Sequence, residues 1–118
     1  MAVSYDDVSS DLRRIIITGR LDIQGTEQIV PQFAALSTDI KRNVVVDLAG
    51  VTFLASIGIR ALISNAKALH KLGGRMALVV GDNTSVSKTL EATGIDVLLQ
   101  MFKSFNEAEE AISSSLTL

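Results

Sequence analysis

Short apolar runs alternate with longer stretches of helical spacing along most of the chain. The clearest run, Val44–Val45–Val46, belongs to a strand predicted over residues 43–48. A continuous β-branched run of this kind is typical of a strand that is covered on both faces. The residues that follow are predicted to form a short surface loop leading into a long helix.

The remaining elements follow from the same periodicities and from the Gly, Pro and polar residues between them. Before residue 43, strands are predicted at 2–8 and 13–18 with a polar turn at 9–11, followed by a loop at 19–25 and a helix at 26–39. After residue 48, a helix is predicted at 57–72, stopped by Gly73–Gly74, followed by a strand at 75–80 and a loop at 81–85. The last predicted elements are a helix ending at Gly94, a strand at 97–101 and a helix capped by Ser104. Pro31 is expected to delay or kink the helix at 26–39, because proline is tolerated only in a first turn.

Two strands followed by alternating helices and strands predict an α/β fold, with a mixed, mostly parallel sheet, an antiparallel edge strand and about four helices. No linker or repeat breaks the chain, so one domain over residues 1–118 is expected, with a frayed tail at 113–118. Sites in such sheets gather at the carboxyl ends of the strands. The loops at 22–26, 53–56 and 81–85 share that edge and are expected to lie side by side.

The helix at 57–72 has one apolar and one polar face. Its apolar positions recur at spacings of three and four: Ile59, Leu62, Ile63, Ala66 and Leu69. The opposite stripe is Arg60, Ser64, Lys67 and Lys71, and it continues one turn back to Ser56. This stripe is a candidate docking face, although charged stripes are commonly only solvated. Ser56 has two interpretations: a plain helix cap, or a hydroxyl that faces a partner.

Composition excludes several classes of protein. The chain has 118 residues, 47% of them hydrophobic and 20% charged, with a net charge of −2, which fits one folded domain and disfavours a strongly basic nucleic-acid binder. It has no cysteine, which excludes disulfides and thiolate chemistry, and the lone His70 fits a helix C-terminus. No signal peptide or membrane-spanning apolar run is visible, so a cytoplasmic location is expected.

Catalytic chemistry is sparse in this sequence. Asp22, Ser56 and Asp82 fall in the three loops, but no histidine or lysine is an obvious base for the serine. Neither common glycine-rich phosphate-binding motif occurs, and the acidic residues do not form a strong Mg²⁺ cluster. No catalytic role, cofactor or metal is predicted. A substrate of a separate kinase needs only an exposed serine hydroxyl on a rigid framework, and this sequence can supply one.

Three motifs carry a resemblance to a known family. Residues 47–59, which run DLAGVTFLASIGI, resemble the pattern D-L-S-G-V-x-F-[ILM]-D-S-[ST]-G-[IL] of the STAS domains, the family of bacterial anti-sigma factor antagonists. Residues 19–22 resemble the family's G-x-[LI]-D, and residues 90–95 resemble its L-x-x-[TS]-G-[IL]. Two positions depart from the pattern: Ala55 replaces the usual Asp, and Ile57 replaces the usual Ser or Thr.

The resemblance implies a partner-switching function. In the family, an anti-sigma factor with serine/threonine kinase activity captures the unmodified antagonist and releases its sigma factor. Phosphorylation frees the antagonist again, and a cognate phosphatase resets it. The residue that matches the phosphorylation site is Ser56. The expected partner is therefore an anti-sigma factor kinase, with no nucleic acid or membrane, and the chain is expected to be a monomer or weak dimer.

The candidate partner-binding residues come from the motif, the polar stripe and the neighbouring loops. They are Asp22, Ala55, Ser56, Ile57, Gly58, Arg60, Ser64, Lys67, Asp82 and Ser85. Simpler roles are open for Asp22, which can hydrogen-bond its own turn, and for Gly58, which can serve packing alone.

Two other functions remain open, and the first of them also explains the departures at Ala55 and Ile57. A non-phosphorylated STAS scaffold, bound into a larger complex, predicts a constitutive partner and no modification. A ligand-sensing subunit would bind a small molecule against the same three loops and would melt at a higher temperature when the ligand is present.

Overall fold

The computed structural model describes residues 2–38, 43–95 and 99–116. The elements are β1 (Ala2–Ser9), β2 (Leu12–Leu21), α1 (Ile23–Ser37), β3 (Asn43–Leu54), α2 (Ser56–Lys71), β4 (Arg75–Val79), α3 (Thr84–Thr93), β5 (Met101–Phe102) and α4 (Phe105–Leu116). The strands form one sheet in the order β1-β2-β3-β4-β5. β1 pairs antiparallel with β2 and the other pairs are parallel. The predicted α/β fold is confirmed.

The sheet is covered on both faces. Alternate residues of β3 point to opposite sides. Val44 and Val46 join a large core with Phe33 of α1 and residues of α2 and α3, whereas Val45 packs in a smaller core with Ala108 of α4. All three valines have no exposed surface. The continuous valine run therefore marks a central strand, as its sequence predicts.

β3 is twice as long as predicted because it contains two irregularities. Between the pairs Ile16↔Asp47 and Thr18↔Gly50, β3 advances one residue more than β2, and a second shift follows Gly19. The shifts keep Leu48, Val51 and Leu54 buried at a spacing of three rather than two. The loop predicted after residue 48 is wrong, since a period of three does not match a regular strand.

α1 begins earlier than the predicted start at residue 26. The carboxylate of Asp22 accepts a hydrogen bond from the amide of Gly25 at 2.8 Å, which caps the helix so that it starts at Ile23. Pro31 consequently lies inside the helix, on its exposed side, where its missing N–H can be tolerated. Residue 39, the predicted helix end, lies outside the described residues.

The C-terminal elements differ in length from their predictions. The last strand contains only Met101–Phe102, and residues 97 and 98 of the predicted strand lie outside the described part of the chain. Ser104 caps α4 as predicted, because its hydroxyl accepts a hydrogen bond from the amide of Glu107 at 3.2 Å. The backbone of α4 remains helical to Leu116, four residues into the predicted tail, and residues 117–118 lie outside the described residues.

Candidate functional site

The three predicted loop regions meet at the carboxyl edge of β2, β3 and β4. The amide of Ala55, just after β3, donates to the carbonyl of Leu21 at the end of β2 at 2.9 Å. On the other side, the side-chain amide of Asn83 donates to the carbonyl of Val51 at 2.6 Å. These bonds place the start of α2 between the start of α1 and the start of α3.

Ser56 is the first residue of α2 and is exposed. The cap position belongs to Ala55, which has no side chain able to accept a hydrogen bond, and the Ser56 hydroxyl bonds to no residue in the described ranges. The plain-cap interpretation of Ser56 is therefore wrong. Its hydroxyl is available to solvent or to a partner, beside first-turn amides that no side chain caps.

Asp22 has a structural role close to this serine. One carboxylate oxygen caps α1, and the other lies 3.6 Å from Nε of Arg20. The Arg20 guanidinium also stacks on the ring of Phe53, 4.6 Å from its centroid. Arg20 thus connects the ends of β2 and β3 across the edge where Ser56 lies.

Two exposed apolar side chains lie at the same carboxyl edge as Ser56, and the predicted site residues include neither of them. Ile23 is 63% exposed at the first turn of α1, and Phe53 is 42% exposed near the end of β3. Exposed apolar residues that lie close together are typical of protein-binding surfaces. Phe53 lies between the buried residues Val51 and Leu54, and the sequence does not indicate its exposure, because the three-residue spacing of those buried positions depends on the register shifts of β3.

Gly58 faces the interior. It is buried, and a Cβ atom there would lie 2.9 Å from Cδ1 of Leu54 and 3.2 Å from Cβ of Leu21. The geometry favours the packing role: glycine lets α2 approach the ends of β2 and β3. Ala55 and Ile57 are partly buried beside it, so Ser56 is the exposed member of this segment.

The polar stripe of α2 spans two regions of the surface. Arg60 and Ser64 are exposed on the turns that follow Ser56. Lys67 and Lys71 are also exposed, but they line a groove at the opposite edge of the sheet. Because a helix rises about 1.5 Å per residue, Lys71 lies roughly 22 Å along α2 from Ser56. The stripe is therefore too long to belong to one compact site.

The start of α3 forms the third side of the edge. Asp82 is exposed before the helix, and Ser85 is exposed in its first turn rather than in a loop as predicted. Asp82 borders a groove of about 340 Å³ that also includes Thr84, Glu91 and Lys103. Asp82 and Ser85 lie on the same edge as Ser56, although the described residues contain no hydrogen bond that joins them to it.

Asn83 holds this third side in place, and its role was not predicted. Its side-chain oxygen accepts from the amide of Val86 at 3.2 Å and caps α3, while its nitrogen reaches carbonyls of the irregular segment of β3. Those carbonyls lie beyond Asp47, the last residue of β3 that pairs with β4, and Asn83 follows β4 along the chain. An asparagine directly before a helical pattern is a recognised cap signal, but the sequence does not indicate the bonds to β3.

Asn83→Asp is expected to destabilise the fold nearly as much as Asn83→Ala, by about 1.5 kcal/mol. Aspartate keeps the cap acceptor, but it replaces the donor to Val51 with a negative charge that faces carbonyl oxygens. Thermal unfolding would measure both variants. Asp22→Asn is the control, since either residue caps well. If Asn83→Asp were as stable as the unsubstituted protein while Asn83→Ala was not, the cap of α3 alone would account for the effect and the bond to Val51 would contribute nothing.

The described residues hold no cluster of three or more His, Cys, Asp or Glu side chains suited to a metal ion. Among the helices of those residues, none combines the length and the apolar character needed to cross a membrane. What the carboxyl edge offers chemically is an exposed hydroxyl that is hydrogen-bonded to no histidine, lysine or carboxylate among the described residues. Such a group reacts when a separate enzyme supplies the catalytic machinery.

A sequence model of the STAS domain matches residues 3–108. The chain belongs to the STAS family. An anti-sigma factor antagonist from Mycobacterium paratuberculosis has a similar structure, with a TM-score of 0.85 at 20% identity over 95% of this chain and 93% of that one. Unphosphorylated SpoIIAA, an anti-sigma factor antagonist, gives 0.76 at 19% identity over 96% and 97%. The Bacillus cell fate determinant SpoIIAA in its phosphorylated form gives 0.68 at 20% identity over 94% and 99%. At these identities the structural similarity establishes the fold.

Proposed function

We propose that this STAS protein is a non-enzymatic anti-sigma factor antagonist controlled by phosphorylation of Ser56. The unmodified form binds a cognate anti-sigma factor with serine kinase activity in the cytoplasm, and the sigma factor is released. Phosphorylation reverses this, and a cognate phosphatase restores the binding form. The observation that carries the proposal is the state of the Ser56 hydroxyl, which is exposed at the first turn of α2 and bonds to no described residue.

The proposed docking surface consists of Ser56, Ile23 and Phe53. Its two apolar side chains would be buried by a partner, and Ser56 would then lie within the contact area. A phosphoryl group adds about −1.5 to −2 charge. At that position the charge would have to lose its water when the partner binds, which opposes docking. This supports the expected sign of the switch: unmodified protein binds and phosphorylated protein is released.

Ala55 favours one alternative. The family's Asp at this position would place an acidic group at the cap of α2, and alanine leaves the helix without a side-chain cap. A kinase that requires that acidic group would not recognise this chain. The alternative is a constitutive STAS scaffold that binds its partner through the same surface and is never phosphorylated.

Incubation with ATP and the cognate anti-sigma factor kinase is expected to add a single phosphoryl group, seen as one mass increment on the intact protein. Ser56→Ala should abolish the addition. Ser64→Ala, which removes another exposed serine of α2, should leave it unchanged. The kinase must be shown to be active on another substrate. If it is active and the mass does not change, the scaffold alternative holds.

A further inference from the structure

A second candidate site lies at the amino edge of the sheet, away from Ser56. A groove of about 530 Å³ runs between the C-terminal half of α2, the start of β4 and the residues before β5. Apolar side chains form part of its lining: Ile63 and Ala66 from α2, Met76 from β4, and Leu99. Its volume falls within the range of sites that hold small organic ligands.

The rim of this groove is cationic. Lys67, Lys71 and Arg75 line it, all three residues are exposed, and none forms an ion pair with a described residue. No Asp or Glu occurs among the described lining residues. Lys67 and Lys71 are four residues apart, so they project from the same face of α2 on successive turns. The chain as a whole carries a net charge of −2, so this local excess of positive charge is not a general feature of its surface.

We propose that the groove binds a small amphipathic anion, specifically a medium-chain carboxylate. Its hydrocarbon chain would cover the apolar lining, and its carboxylate would lie among Lys67, Lys71 and Arg75. Ammonium and guanidinium groups both form charge-assisted hydrogen bonds with carboxylates. The combination of an apolar lining and a cationic rim that forms no ion pair with a described residue selects a ligand with both properties, whereas a neutral lipid or an inorganic anion would satisfy only one.

This site is separate from the proposed docking surface. The two lie at opposite edges of the sheet, and Lys71 at the groove is roughly 22 Å from Ser56 along α2 by the rise of an α-helix. The groove would therefore bind its ligand whether or not Ser56 is phosphorylated, and the inference does not rest on the proposed function. The ligand-sensing alternative from the sequence placed a ligand against the three carboxyl-edge loops, where this groove does not lie.

Titration with decanoate, followed through backbone amide shifts in ¹⁵N NMR spectra, tests the proposal. The expected result is saturable binding with the largest shifts at Gly74, Arg75 and Leu99. Octanoate should bind more weakly, by up to about fourfold for each methylene removed. Decanol and acetate should bind at least about tenfold more weakly than decanoate, because each lacks one of the two recognised features.

Lys71→Glu should weaken decanoate binding at least about tenfold, since it replaces a favourable charge with a repulsive one. Lys88→Glu is the matched control: it makes the same charge change at an exposed position of α3 outside the groove and should leave the affinity unchanged. The proposal is overturned if decanoate does not saturate, if decanol binds equally well, if the shifts map elsewhere, or if the two variants weaken binding equally.

Discussion

Phosphorylation of Ser56 is expected to weaken binding of this protein to the proposed anti-sigma factor partner by at least about 100-fold, equivalent to about 2.8 kcal/mol. The added charge would lie in the proposed docking surface with Ile23 and Phe53, from which water must be removed on binding. Isothermal titration calorimetry with phosphorylated and unmodified protein would measure the difference. Ser56→Glu, with a single charge and different geometry, should produce a smaller loss in the same direction.

The loss of affinity should not come from unfolding. The first turn of α2 has backbone amides that no side chain caps, so a phosphate there can accept their hydrogen bonds and interact favourably with the helix dipole. The melting temperature of the phosphorylated protein should therefore equal or exceed that of the unmodified protein. A large fall in melting temperature would instead mean that the charge disrupts the start of α2.

Two variants separate a local charge effect from a general one. Ser10→Glu adds a negative charge at the exposed turn between β1 and β2, at the opposite edge of the sheet, and should leave affinity nearly unchanged. Phe53→Ala removes an exposed ring of the proposed docking surface without changing charge, and should weaken binding about tenfold if the ring is buried by the partner. Equal losses for Ser10→Glu and Ser56→Glu would contradict the proposed location of the surface.

Periodicity predicted the order and type of the elements because most of them bury one face. Val44, Val45 and Val46 indicate a strand between two layers, and that prediction holds because successive side chains serve separate cores. The second half of β3 could not be predicted in the same way. Its core positions, Leu48 and Val51, are three residues apart because of shifts relative to β2, and such shifts depend on pairing between distant strands.

The motif located the start of α2, but it did not define the environment of Ser56. Whether the serine or its neighbour occupies the cap position depends on where the helix begins, and the structure places Ala55 there. The sequence does not indicate the role of Asn83, for a related reason. Its bonds to β3 require the irregular carbonyls of a strand more than thirty residues away, which no local pattern describes.

The two adjacent arginines of β2 also illustrate this limit, since the sequence alone does not tell which one is buried. The side chain of Arg13 is 6% exposed and that of Arg14 is 33% exposed. The Arg13 guanidinium bonds to the carboxylate of Asp7 at 2.7 Å and to the carbonyl of Leu36 at 3.1 Å, and it stacks on the ring of Tyr5. It therefore joins the edge strand β1 to β2 and α1.

Asp7→Ala is expected to lower the free energy of unfolding by about 2 kcal/mol. Removing one partner of a buried ion pair costs about 3–5 kcal/mol when the remaining charge stays buried. The cost here should be smaller, because the Asp7 side chain is already 38% exposed and part of its interaction is screened by water. Thermal unfolding should give a melting temperature lower by roughly 8 °C.

Asp6→Ala is the matched control, because it removes the same charge from the adjacent position of the same strand. Asp6 pairs in register with Arg14 and projects from the other side of the sheet, and it forms no ion pair with a described residue. Its loss should change the melting temperature by no more than about 2 °C, since exposed charges contribute little. Equal falls in melting temperature for Asp6→Ala and Asp7→Ala would mean that the loss of one negative charge, and not the loss of the ion pair with Arg13, causes the effect. A larger shift for Asp7→Ala would instead show that the ion pair with the buried Arg13 guanidinium helps to hold β1 against the sheet.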